Sequence, residues 1–215
     1  MYETIVFDLD GTLLDTLDDL HASVNASLQA FGLQPRTKEE VRSFVGNGIR
    51  KLMERSAGGA KVDLDALLDA FRGHYALHCK DKTKPYDGVL ETLAVLKERG
   101  VKLAVVSNKA DFAVKLLADE YFKGYIDVAV GENEGAGIRK KPAPDSLLSV
   151  MQTLGADKKT TVYVGDSEVD IQTAINADVD CISVVWGFKD KEFLIKNGAT
   201  NLVETPKDII SFCKE

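Results

Sequence analysis

Short apolar runs separated by helical patterns set the class of fold open to this chain. Thr4-Ile5-Val6-Phe7 comes first, and residues 101–106, 126–130, 161–164, 181–185 and the shorter 201–203 follow. Their β-branched and aromatic content predicts strands, and a strand apolar along most of its length is covered on both faces. Between them lie helical patterns over residues 89–99, 111–121, 143–154, 168–177 and 190–197, and a last one over 206–213. Gly100, Gly155 and Gly198 stand where three of these helices stop. Such alternation predicts an α/β fold, a parallel sheet with helices on both faces.

One interval breaks the rhythm. Leu17, Leu20, Val24, Leu28 and Phe31 share one helical face over residues 15–31, and Gly32 ends it. A second helix is expected from Thr37, with Glu40 completing a capping box. Gly46-Asn47-Gly48 and Gly58-Gly59 then bound a helix over 49–56, and residues 63–79 form another with Leu64, Leu67, Leu68, Phe71 and Tyr75. Residues 15–84 thus hold no strand candidate and too much helix for a crossover. They read as a helical insertion in a core made of residues 1–14 and 85–215.

Ligands on parallel sheets bind beyond the C-terminal ends of the strands. Asp8 and Asp10 follow the first strand, Ser107 and Asn108 the second, and Asp166 and Asp170 the fourth. A glycine-rich loop, 131–137, leads to Arg139-Lys140-Lys141-Pro142. One rim is therefore expected to gather four carboxylates against Ser107 and Lys141. Carboxylates are costly to desolvate unless paired or bound to metal. Their hard oxygens suit Mg2+, and the set suits phosphoryl transfer: a carboxylate nucleophile, a second acid two residues on, and a lysine and hydroxyl for the non-bridging oxygens.

The formal net charge of -7 over 215 residues disfavours nucleic acid and acidic membranes as partners. No transmembrane run or secretory signal is visible. Cys79, Cys181 and Cys213 are widely spaced and odd in number, as reduced thiols of a cytoplasmic protein would be. His74 and His78 stand four apart with no third ligand nearby, which favours a packing pair over a metal site. His21 has no evident partner. A small phosphorylated metabolite is the expected partner, with the chain a monomer or homodimer.

Asp8-Leu9-Asp10-Gly11-Thr12, Ser107-Asn108, Lys141-Pro142 and Gly165-Asp166-Ser167-Glu168-Val169-Asp170 resemble, in order and type, the four motifs of the haloacid dehalogenase superfamily. The resemblance implies a Rossmann-like core and a helical cap inserted after the first motif. It implies Asp8 as nucleophile and metal ligand, and Asp10 as acid/base with its carbonyl on Mg2+. Ser107 and Lys141 would hold the phosphoryl group, Asp166 would ligate the metal, and Asp170 would support it through water or Lys141. Gly11, Thr12 and Asn108 would orient the phosphate.

Within the superfamily, Asp10 and Asp166 argue against a dehalogenase, and Thr12 against a β-phosphoglucomutase-like phosphomutase. Val45-Gly46-Asn47-Gly48-Ile49-Arg50 and Pro85-Tyr86-Asp87-Gly88 resemble phosphoglycolate phosphatases. Pyrophosphatases and broad sugar-phosphate phosphatases share that branch, and a phosphate-binding regulatory module is the non-enzymatic alternative. Gly46, Asn47 and Gly48 are expected to offer backbone N–H groups to an anion, and Arg50 or Lys51 to pair with a substrate carboxylate. Hinges are expected near residues 14–16 and 83–86.

Overall fold

The computed structural model describes residues 1–133, 135 and 137–214. Glu134 and Ala136 of the predicted glycine-rich loop lie outside them. The strands are β1 (Thr4–Phe7), β2 (Leu14–Asp15), β3 (Lys84–Pro85), β4 (Lys102–Ala110), β5 (Val128–Glu132), β6 (Thr161–Gly165), β7 (Asp180–Val184) and β8 (Asn201–Val203). Six form one sheet in the order β5-β4-β1-β6-β7-β8, every neighbouring pair parallel. The helices are α1 (Leu17–Ala30), α2 (Lys38–Phe44), α3 (Gly48–Ala57), α4 (Leu64–His78), α5 (Val89–Glu98), α6 (Asp111–Phe122), α7 (Asp145–Leu154), α8 (Glu168–Ala177) and α9 (Lys191–Lys196). The expected α/β architecture is present.

Alternation along the strands builds two cores. Ile5, Phe7, Leu103, Val105, Val162 and Val164 face α5 and α6 through Leu93, Leu96, Val114 and Leu117. Val6, Ala104, Val106 and Tyr163 face α7 and α8 through Leu147, Val150, Met151 and Ala174. Each such apolar side chain contributes roughly 1.5–3 kcal/mol on burial. The first core runs on into α1 and α4, where Leu20, Val24, Leu28, Leu67, Leu68 and Phe71 belong to it. Thr37 caps α2 with the capping box to Glu40 that the spacing predicts.

Two expectations need correction. Residues 15 and 84 are not helical or loop but paired: Leu14 lies opposite Pro85 and Asp15 opposite Lys84, an antiparallel ribbon where the chain leaves and re-enters the sheet layer. Two-residue strands carry no periodicity and are set by the pairing itself. The last helix is a 3-10 segment, Pro206–Phe212, opened by Pro206 and a Thr205–Asp208 capping box.

Register aligns the strand ends. Phe7 lies opposite Val105 and Val164, so Asp8, Val106 and Gly165 come to one level. The helical layer meets this rim through polar bonds. Arg42 on α2 donates to the carbonyls of Phe188 and Gly187 at 2.8 and 2.6 Å. Asn108 donates to Gly46 O at 3.1 Å.

Candidate active site

Asp8 is fixed as β1 ends, its N–H donating to Val164 O at 2.8 Å. Gly11 turns the chain at φ +86°, and a Cβ there would stand 2.4 Å from Asp166 Oδ2, so glycine is required twice over. Asp8, Asp166 and Asp170 are buried and bring carboxylate oxygens within 4.8 Å of one another. Thr12 Oγ1 stands 3.5 Å from Asp166 Oδ1. Asp166 Oδ2 accepts the Phe188 N–H at 2.6 Å.

Lys141 gathers the rest. Its Nζ lies 2.9 Å from Asp8 Oδ1, 2.7 Å from Asp170 Oδ1 and 2.9 Å from the Tyr163 hydroxyl. Asp170 Oδ2 accepts from the Ser167 N–H and hydroxyl at 3.1 and 2.6 Å, closing the capping box of α8. Both Asp170 oxygens are thus spent on protein groups. Asp8 Oδ1 is also buried, and it is ion-paired to Lys141. Ser107 lines the same cavity.

Sequence reasoning ended the second buried strand at Val106, but β4 runs on to Ala110 with a register shift between Val106 and Ala110. A regular strand sends successive side chains to opposite faces, and an irregularity re-aims them. Here Ser107, Asn108 and Lys109 are all buried. Lys109 was missed, although a lysine after an apolar strand is the same signal that picked out Lys141. Its Nζ lies 2.9 and 3.1 Å from the two Asp10 oxygens and donates to the Tyr75 hydroxyl at 2.5 Å.

Asn108 was expected to orient phosphate. It lines the cavity, and its side chain also holds the Lys141 backbone, accepting from Lys141 N at 2.8 Å and donating to Lys141 O at 2.9 Å. Gly46 and Gly48 line the cavity, and Asn47 is not among its lining residues. Arg50 and Lys51 do not reach it: Arg50 pairs with Asp65 and Lys51 with Glu54 on the outer surface. The reason is helical phase. Ile49 and Leu52 face the cavity, which turns 50 and 51 away. The cavity's other walls are Leu20, Phe71, Phe112 and Phe188, with Arg72, Lys109 and Lys189 as its remaining cations.

The charge balance bears on a metal. Four carboxylates, Asp8, Asp10, Asp166 and Asp170, gather around the two buried ammonium groups of Lys109 and Lys141, leaving two carboxylates without a matching cation. Burial pushes the Asp8 carboxyl up to about 6; Lys141 opposes this, while Asp170 and Asp10 add to it. Burial, then Asp170 and Asp8, hold Asp166 well above the usual carboxylate range. An oxygen-liganded divalent cation fits the two surplus carboxylates and the gathering of Asp8, Asp166 and Asp170 oxygens within 4.8 Å. His74 and His78 lie side by side with ring centroids 4.4 Å apart and planes tilted by 32°, but bond elsewhere, His74 to Ser23 and His78 to Asp81. His21, without an evident partner in sequence, is within 3.0 Å of Arg36 O and 2.9 Å of Asn25 Nδ2. All three cysteines are free thiols. Among the described residues no helix is long and apolar enough to cross a membrane.

A family model described as haloacid dehalogenase-like hydrolase matches residues 5–184. Phosphoglycolate phosphatase 1 of Pseudomonas aeruginosa is 33% identical over 214 residues, covering 96% of this chain and 78% of that protein. The phosphoglycolate phosphatase of Pseudomonas putida is 39% identical over 193 residues, covering 86% of this chain and 70% of that protein. A crystal structure of a Lactobacillus delbrueckii subsp. bulgaricus protein matches with a TM-score of 0.91 at 38% identity, covering 97% of this chain and 96% of that one.

Proposed function

Because this chain belongs to the haloacid dehalogenase-like hydrolase family, we propose that it is a Mg2+-dependent phosphatase of small phosphate monoesters, with 2-phosphoglycolate as its substrate. The observation that carries the reading is Asp8: a buried carboxylate ion-paired to Lys141 at 2.9 Å and grouped with Asp166. Asp8 attacks phosphorus; its new O–P bond forms as the ester P–O bond breaks, and Asp10 gives its proton to the leaving oxygen. Water then attacks the aspartyl-phosphate, losing its proton to Asp10 as the Asp8–phosphorus bond breaks. Ser107 and Lys141 neutralise the non-bridging oxygens, and the Gly11–Thr12 turn packs beside them. Asp8, Asp166 and the Asp10 carbonyl would hold Mg2+, with Asp170 behind Lys141; bound Mg2+ supplies charge neutralisation at the phosphoryl oxygens.

The substrate rests on the relatives' names and on the cations around the cavity. Residues 15–84 act as a cap that swings about the β2–β3 ribbon to admit ester and exclude water. The test is phosphate release from a panel of small esters with Mg2+. The expected result is fastest turnover of 2-phosphoglycolate, and a loss of at least ~10³-fold in Asp8→Asn. A flat profile removes the substrate and keeps the reaction; no Mg2+-dependent release from any ester removes both.

A further inference from the structure

Among the described residues, Lys109 is the one buried cation in the cavity to which phosphoryl transfer gives no task. An ammonium has three N–H donors. Here they meet three acceptors: both oxygens of Asp10, at 2.9 and 3.1 Å, and the Tyr75 hydroxyl, at 2.5 Å. None is left to bind an anion. Both ends of the contact are buried, the Lys109 side chain 3% and the Asp10 side chain 12% exposed, so removing either partner leaves the other charge buried and unpaired. Tyr75 also sets its ring 4.5 Å from the ammonium and stacks on Phe71 at 5.4 Å. Asp10 and Lys109 come from the sheet rim, whereas Tyr75 comes from α4 in the helical layer.

We infer that Lys109 is a positioning residue for Asp10, and that Tyr75 is the group through which the helical layer sets it. Two oxygens held by one ammonium fix the plane and direction of a carboxylate that is otherwise free to turn about its Cβ–Cγ bond. Tyr75 fixes the ammonium in turn, and does so only while α4 is seated on the rim. The aim of the acid/base therefore depends on the closure of the helices. The inference rests on the proposed role of Asp10 in giving its proton to the leaving oxygen.

Leaving groups separate this role from others. An alkoxide, such as the one expelled from 2-phosphoglycolate, needs that proton; p-nitrophenolate leaves without it. Tyr75→Phe keeps the ring and removes the acceptor. Lys109→Met keeps the length and removes the charge. For 2-phosphoglycolate, or the alkyl ester the unaltered protein turns over fastest, kcat is expected to fall about 10-fold in Tyr75→Phe and about 100-fold in Lys109→Met, with KM within ~2-fold. For p-nitrophenyl phosphate the first-turnover release of p-nitrophenolate, which precedes the water step that also uses Asp10, stays within ~3-fold of the parent in both variants, and Lys109→Arg recovers part of the alkyl-ester rate. Equal losses in first-turnover leaving-group release from the two esters would overturn the inference, as would a raised KM at unchanged kcat, which marks a substrate-binding lysine. If the unaltered protein turns over neither ester, the phosphatase reading fails and this inference falls with it.

Discussion

Gly187 shows how little freedom the residues around Asp166 have. A Cβ at this position would stand 2.3 Å from Asp166 Cβ and 2.4 Å from Gly11 O, neither of which is a flexible side-chain tip. The loop cannot slide away, because Trp186 donates to Thr12 O at 3.0 Å and Phe188 donates to Asp166 at 2.6 Å. Gly187→Ala must therefore displace Asp166 or the Gly11 turn. It is expected to cost about 1–3 kcal/mol in urea unfolding and to weaken divalent-cation binding in calorimetry. Binding as tight as the parent's would show that Asp166 had not moved. In sequence, Trp186-Gly187-Phe188 is only a family-like string, since the crowding comes from residues 166 and 11, far away along the chain. Arg50 is the opposite case. The apolar phase of Ile49 and Leu52 already turned it outward, so that information lay in the sequence and was outweighed by the attraction of an arginine near a glycine-rich loop.

At the scale of elements, legibility follows repetition. Helices such as α4 and α8 and the buried strands repeat a period several times, and their positions were readable to within a few residues. The β2–β3 ribbon and the irregularity in β4 depend on pairing between distant segments, and no local pattern announces them. The ribbon carries its own clasp. Asp19, buried in the first turn of α1, accepts from Lys82 N at 3.0 Å and from Thr83 N and Oγ1 at 2.8 Å each. Removing that carboxylate leaves three donors near the chain crossing without an acceptor. Asp19→Ala is expected to lose roughly 2–3 kcal/mol of stability, and Asp19→Asn less, since it keeps one oxygen. A loss below ~0.5 kcal/mol in the alanine variant would mean that water replaces the carboxylate and that the clasp is not structural.

For the whole molecule, the excess of buried carboxylates ties stability to pH and to metal. Asp8 is pushed up to about 6 and Asp166 is also raised, from an ordinary value of 3.8, mainly by burial. An acid with a raised folded value keeps its proton when the unfolded chain has already released its own. Stability from these two groups is therefore present at low pH and lost as pH rises through the folded values. His74 acts in the other direction: burial and His78 lower it, so folding is favoured as pH rises through the ordinary histidine value of 6.5. Lys141 is raised above 10.5 and stays charged throughout. In the proposed site a divalent cation would engage Asp8 and Asp166 but not His74, so the gain in Tm on adding Mg2+ isolates the carboxylates. That gain is expected to be larger at pH 7 than at pH 5, because at pH 5 the ion must first displace protons. Thermal unfolding with Mg2+ and with chelator at the two pH values measures it. Equal gains would mean that the ion binds away from Asp8 and Asp166, and the buried carboxylates would then need another source of compensating charge.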